Sequence, residues 1–288
     1  VHQMNTLTWL DLTAADRDRM RQVLDLFNEQ GTVDELGLGT LRDVFANALF
    51  PGTSTIQTRL RYMLFVPWLY QGLEAKRVAA GAVREQARAA ELGLIHPLLA
   101  SEDTDGVIGS RSSMQLRRLP SDVYWGGLVR WGLFVPAKSK GWYHRHFEQF
   151  SRRRTASRAD DPGLVWVQER SWHPRLPRAP EGFPREAELA LAAHEARFLQ
   201  GAIETRCGGS LLALFAGDDA GAPADGPFWL QPALAGASSM LRADVELARR
   251  FSRHVEGASL IYNLMLAERR ARLRPDGDDC ERAEAYRR

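Results

Sequence analysis

Apolar positions recur at helical spacing in several separate stretches of the chain. Over Thr13–Gln30, Met20, Val23, Leu24 and Phe27 share one face, Thr13 is placed to cap the helix, and Asp16 falls at its third position. Gly31 ends that helix, and a turn-rich connector over residues 32–39 follows. Thr40–Leu49 is a second predicted helix, with Leu41, Val44, Phe45, Ala48 and Leu49 as its buried stripe. The break Phe50-Pro51-Gly52-Thr53-Ser54 leads into a third helix over Thr55–Tyr70, which Pro67 kinks or ends. Gly72–Leu92 reads as an exposed helix rich in Ala, Arg and Glu, and Ser101–Gly109 as a loop with an Asp105-Gly106 turn. Pro120-Ser121-Asp122 starts a further helix, and the short run Gly132–Pro136 after it resembles the second half of a helix-turn-helix or winged-helix unit.

Prolines at 162, 174, 177, 180 and 184 mark the clearest interruption, with one expected strand at Leu164–Gln168. Short strands are also expected around Val107 and Val135. Helical patterning resumes over Glu186–Arg206, through Leu189, Ala193, Phe198 and Ile203. It resumes again over Ala243–Leu273, with Val245, Ala248, Phe251, Val255, Ala258, Ile261, Tyr262 and Met265 facing inward. The expected fold is therefore mostly α, with helix-turn-helix-like and helix-hairpin-helix-like elements and few strands. Its parts are an N-terminal helical domain over residues 4–154, a proline-rich linker or cover over 155–185, C-terminal helices over 186–273 that pack on the first part, and a tail over 274–288.

Composition narrows the class. With 288 residues, 44% hydrophobic and 26% charged, the chain has ample length for a core. No apolar run approaches the roughly 18 residues needed to span a bilayer, and the start lacks a signal-peptide pattern, so a cytoplasmic protein with no membrane partner is expected. Cys207 and Cys280 are widely separated and form no metal-binding pair. The absence of glycine-rich phosphate loops excludes the usual nucleotide and flavin sites, so no cofactor is expected. His144 and His146 could hold a metal, but no acids stand at ligand spacing, and no metal site is expected.

The net charge of +2 is unevenly spread. From Lys138 to Arg158 seven bases (Lys138, Lys140, Arg145, Arg152, Arg153, Arg154 and Arg158) stand against Glu148 alone, interleaved with Trp142, Tyr143, Phe147 and Phe150. Such a stretch is either a contact to a nucleic-acid backbone or a solvated arginine-rich face. Arg117, Arg118, Tyr124 and Trp125 form a second cluster able to stack on bases and hold phosphates, although Trp125 also reads as core. The densest polar information lies between Asp34 and Tyr70, where Asp34, Glu35, Arg42 and Asp43 precede Arg59, Arg61 and Tyr62. These form either an ion-pair network tying helices together or a pocket with one carboxylate held beside arginines. On the second reading Asp43 is the first-choice catalytic carboxylate because a helix fixes it, Glu35 and Asp34 follow, and Asp105 is an outside candidate. The Pro51-Gly52 turn resembles a phosphate-binding hairpin, although Ser54 and Thr58 depart from that pattern.

Several runs together carry a resemblance. They are Thr8–Asp11, Val33–Asp43, Leu49–Arg59, Asp105–Gly109, Arg118–Ser121 with Tyr124-Trp125, and Gly257–Asn263. They resemble a family of bacterial proteins of mostly unknown function, whose genes look like residents of phage-defence islands. Within it the chain is similar to anti-phage DNA glycosylases that remove glucosylated hydroxymethylcytosine from phage DNA. The resemblance implies DNA as partner, base flipping and an abasic-site product, with no metal and no nucleotide cofactor. It carries over no catalytic residue. The alternative is a non-catalytic DNA-binding or adaptor subunit of a defence system.

Overall fold

The computed structural model describes residues 37–110, 116–151, 170–217, 226–273 and 284. The chain divides into two compact units, residues 1–43 and 44–288, and of the first only residues 37–43 are described. The described residues are mostly helical. The predicted Thr13–Gln30 helix and Leu164–Gln168 strand lie outside them.

The first described helix, α1 (Leu38–Leu49), matches its predicted position. Its stripe does not. Leu49 is buried and Phe45 half-buried, while Leu41, Val44 and Ala48 are exposed. The next helix, α2 (Tyr62–Ala75), starts later than the periodicity suggested and runs through Pro67. Residues 55–61 have other partners for their polar groups. The Thr58 and Arg59 amides donate to the Tyr124 hydroxyl at 2.9 and 3.0 Å, and Thr58 Oγ1 donates to Gly106 O at 2.6 Å. A helix N-terminus therefore does not sit at the Pro51-Gly52 turn. What holds that turn is close packing. Gly52 adopts φ +85°, and its Cβ, if present, would stand 2.7 Å from Trp131 Nε1. The same indole donates to Pro51 O at 2.9 Å.

Every residue from Tyr62 to Tyr70 is buried, so α2 is the apolar centre of its unit. Around it pack α3 (Ala80–Gly93), α5 (Pro120–Arg130) and α7 (Phe147–Ser151), while α4 (Ile95–Leu99) and α6 (Lys140–Arg145) pack on α3. Helix α5 starts where the Pro-Ser-Asp signal placed it: Pro120 occupies its first turn and Asp122 accepts from the Leu119 amide at 2.9 Å. The strand expected near Val135 reduces to a single antiparallel bridge, Phe134 with Trp172, and Val107 stands between two turns.

Helix α8 (Ala193–Cys207) begins seven residues after the predicted Glu186, since residues 186–192 are irregular; α9 (Leu211–Gly217) packs on it. One core cluster joins α2, α3 and α5 to Trp172, Leu189, Leu199, Ile203 and Cys207, so both sides of the proline-rich stretch share it. A second cluster gathers Leu49, Leu211, Leu241, Val245 and Ala248. Helix α10 (Ser239–Leu273) is the longest described. Only its first part meets the sequence expectation: Val245 and Ala248 are buried, Phe251 and Val255 half-buried, but Ala258, Ile261, Tyr262 and Met265 are exposed. No described helix is long and apolar enough to cross a membrane.

Candidate functional site

A cavity of about 790 Å³ opens between the start of α2, the α4 helix with the loop after it, and residues 180–190. Phe65, Trp68 and Phe183 line it; Phe65 and Phe183 stack at 5.7 Å, with Trp68 edge-on to Phe183 at 5.3 Å. Carboxylates stand on its walls: Glu102, Asp103, Glu181, Glu186 and Glu188, against Arg61, Arg185 and His96. Two of these acids are fixed by arginines. Arg59 Nη2 lies 2.8 Å from either oxygen of Asp103, and Arg59 Nε donates to Asp105 O at 2.7 Å. This clamps the Asp103–Gly106 loop onto the segment before α2. Arg61, only 4% exposed, donates to Glu195 at 2.9 Å and to the Glu188 carbonyl at 2.9 Å, with the Glu188 carboxylate at 3.4 Å. Its Nε has no partner among the described residues. Glu195 is itself buried and also accepts from the Ala192 amide, capping α8. The buried Arg61–Glu195 pair thus anchors the Arg61 side of the cavity, and Asp103 and Glu188 are the carboxylates positioned at its wall.

Arg59 and Arg61, read from the sequence as substrate or DNA contacts, therefore each hold a carboxylate. Arg42 and Asp43 form an exposed ion pair with each other at 2.9 Å, their side chains 73% and 62% accessible. Asp34 and Glu35 lie outside the described residues, as do Arg152, Arg153 and Arg154. Tyr62 and Tyr124 are buried pins rather than stacking platforms: Tyr62 accepts from the Ile108 amide at 2.9 Å, and Tyr124 donates to Arg59 O at 2.7 Å. Burial pushes the Tyr62 hydroxyl up to about 12, against the Ile108 hydrogen bond. Trp125 is core, its indole donating to Lys138 O at 3.0 Å. Arg117, Arg118 and Arg145 are exposed.

A second titratable cluster lies inside the fold. Glu91 is 1% exposed; one oxygen accepts from the Ser121 amide at 2.7 Å and the other has no partner among the described residues. Lys140 donates to Ser121 Oγ at 3.0 Å and pairs with Asp122. Tyr70 meets His144 Nε2 at 2.8 Å, and Tyr143 donates to Glu74. Burial, opposed by Ser121 and Lys140, raises Glu91 to about 7. Burial, with the charges of Lys140 and Arg84, lowers His144 to about 4. Burial also raises Glu74, against hydrogen bonds from Ser171 and Tyr143 and a weaker pull from Trp172, whose Nε1 makes no well-formed hydrogen bond. His144 and His146 are engaged by Tyr70 and by Trp142 O, and no metal-binding group of His, Cys, Asp and Glu occurs among the described residues.

The sequence reading did not single out Asp103, Glu188 or Phe183. Residues 180–184 read as cover because of their prolines, and only the Asp105-Gly106 turn pointed toward this wall. Fold and site together define a mostly helical protein with a wide acidic cavity over an aromatic floor. The chain belongs to a family of unknown function (DUF6361), whose model matches residues 4–285. No curated protein and no solved structure matches it.

Proposed function

We propose that the chain is a DNA glycosylase that excises glucosylated hydroxymethylcytosine, with its reaction centre in the Asp103–Glu188 cavity. The sequence resemblance to phage-defence glycosylases supplies the substrate. The observation that carries the reading is the cavity itself: about 790 Å³, within the roughly 300–1,000 Å³ of ordinary ligand sites, aromatic below and carboxylate-walled above. Of the aromatics lining it, Phe183 is half-buried and suits contact with a flipped base, and the acids suit the hydroxyls of a hexose.

The chemistry follows glycoside hydrolysis. As the C1′–N bond lengthens, positive charge builds on the deoxyribose, and a nearby carboxylate stabilises it. Water bonds to C1′, the base leaves with the bonding pair, and the proton released by water ends on the base. Asp103 is the carboxylate best placed for this role, because Arg59 fixes its orientation without removing it from the cavity wall. Arg61 acts by holding the Glu188 segment in place while Glu195 fixes the guanidinium.

An abasic-site assay on DNA containing the modified base tests the reading, with Asp103→Asn expected to fold, to bind DNA and to lose excision. A non-catalytic DNA-binding adaptor is the second reading, favoured by the exposed apolar residues Leu260, Ile261, Tyr262 and Met265 on α10. It expects DNA binding with no abasic product from any variant.

A further inference from the structure

A separate cavity of about 480 Å³ lies between the end of α5, the segment after the Phe134–Trp172 bridge, and α8. Three arginines and a histidine line it, Arg175, Arg197, Arg206 and His173, and Glu204 is the one carboxylate among its lining residues. Among the described residues neither Arg175 nor Arg206 forms an ion pair with a carboxylate. Arg197 is anchored through Nε to Ala193 O at 3.2 Å.

The arginines are positioned by backbone as well as by side chains. Gly132, at φ +72°, closes α5, and a Cβ there would stand 2.6 Å from Arg206 Nε. The missing side chain lets the guanidinium lie against the turn. His173 is fixed by its own amide, which donates to Leu133 O at 2.8 Å, and by Phe198, 5.3 Å from its ring. Its Nδ1 accepts from the Arg175 amide at 3.2 Å, which leaves Nε2 as the ring's donor. Burial, then the charges of Arg175 and Arg206, lower the imidazole, so it is neutral near pH 7. The cavity thus presents three guanidinium groups against one carboxylate, a fixed N–H donor and an aromatic edge, a combination suited to an anion with several acceptor oxygens.

We propose that this cavity binds a backbone phosphate of nucleic acid. The inference rests on the DNA-binding part of the reading above, not on excision. Neutralising a phosphate releases its counterions, so the site contributes to the salt dependence of binding.

The test is a salt titration of binding between the full chain and a labelled DNA duplex. Arg175→Ala with Arg206→Ala is expected to weaken binding at least tenfold. It should also make log affinity against log salt shallower by about 0.9 for one lost phosphate contact. Arg175→Lys with Arg206→Lys keeps the charge and should keep the slope while losing part of the affinity. Glu204→Gln removes the opposing charge and should tighten binding. Unchanged affinity and slope in the alanine variant overturn the proposal, as does failure of the unaltered chain to bind DNA. Vesicles of anionic lipid bound through these arginines, with DNA binding unaffected, overturn it as well. Loss of DNA binding in the alanine variant, with no abasic product from the unaltered chain, supports the pocket and removes the glycosylase reading. Normal excision with unchanged binding in that variant does the reverse.

Discussion

Replacing Glu91 with Gln removes one buried charge and leaves the shape nearly intact. In the folded chain the carboxyl is raised from 4.5 to about 7, chiefly by burial. At 1% exposure no solvent screening reduces the effect. Below about pH 4.5 the group is protonated both folded and unfolded, so its full contribution is present. As pH rises from 4.5 to 7 the unfolded chain releases the proton while the folded chain keeps it, and stability falls. One pKa unit corresponds to about 1.36 kcal/mol, so the loss is about 3 kcal/mol, complete above pH 7. His144 has the opposite sign: it is lowered from 6.5 to about 4, so its contribution rises with pH between those values. It is half-exposed, and its effect is smaller than the shift alone implies. The unaltered chain therefore shows a muted pH profile, and the difference between it and Glu91→Gln isolates the carboxyl. Denaturant unfolding at a series of pH values should show the variant gaining about 3 kcal/mol relative to the unaltered chain between pH 4.5 and 8. A difference that stays constant across that range would mean that Glu91 titrates alike in the folded and unfolded chain.

Arg61→Met should cost about 3–5 kcal/mol in denaturant unfolding, because Glu195 would remain buried without its partner. Adding Glu195→Gln should recover part of that loss while keeping the α8 cap, and a cost below about 1 kcal/mol for Arg61→Met alone would contradict a buried pair. Asp43→Asn should change stability by less than about 0.5 kcal/mol, since its partner Arg42 is exposed. It should leave abasic-site production unchanged; abolished excision in a folded Asp43→Asn protein would return the reaction centre to the segment first read from the sequence.

The legible parts of the sequence were those with strong local chemistry. Pro120-Ser121-Asp122 announced a helix start, and the Asp105-Gly106 turn announced a loop. Thr55–Tyr70 read as one helix because its apolar spacing is helical. The chain instead gives the amides of Thr58 and Arg59 to the Tyr124 hydroxyl, a contact between residues far apart in sequence. Spacing alone could not reveal that. The same holds at the site. A carboxylate beside arginines was the expected chemistry, and Arg59 and Arg61 do hold carboxylates, but these are Asp103 for Arg59, and Glu195 with the more distant Glu188 for Arg61. Asp103 comes from a loop and Glu188 from the irregular start of a stretch that is helically patterned in sequence, and only the tertiary fold brings them to one wall. The outward face of the late part of α10 was read as inward because its apolar residues keep helical spacing, which fixes a shared face but not what covers it.

The proposed reaction is cleavage, in the Asp103–Glu188 cavity, of the bond between a modified base and its sugar. The direct measurement is abasic-site formation by the full chain on two DNA substrates of one sequence, one carrying glucosylated hydroxymethylcytosine and one unmodified. Abasic sites are expected only in the modified DNA, and they should be lost in Asp103→Asn with DNA binding retained. Bound but intact modified DNA after incubation with the unaltered chain, or full excision by folded Asp103→Asn, would contradict it.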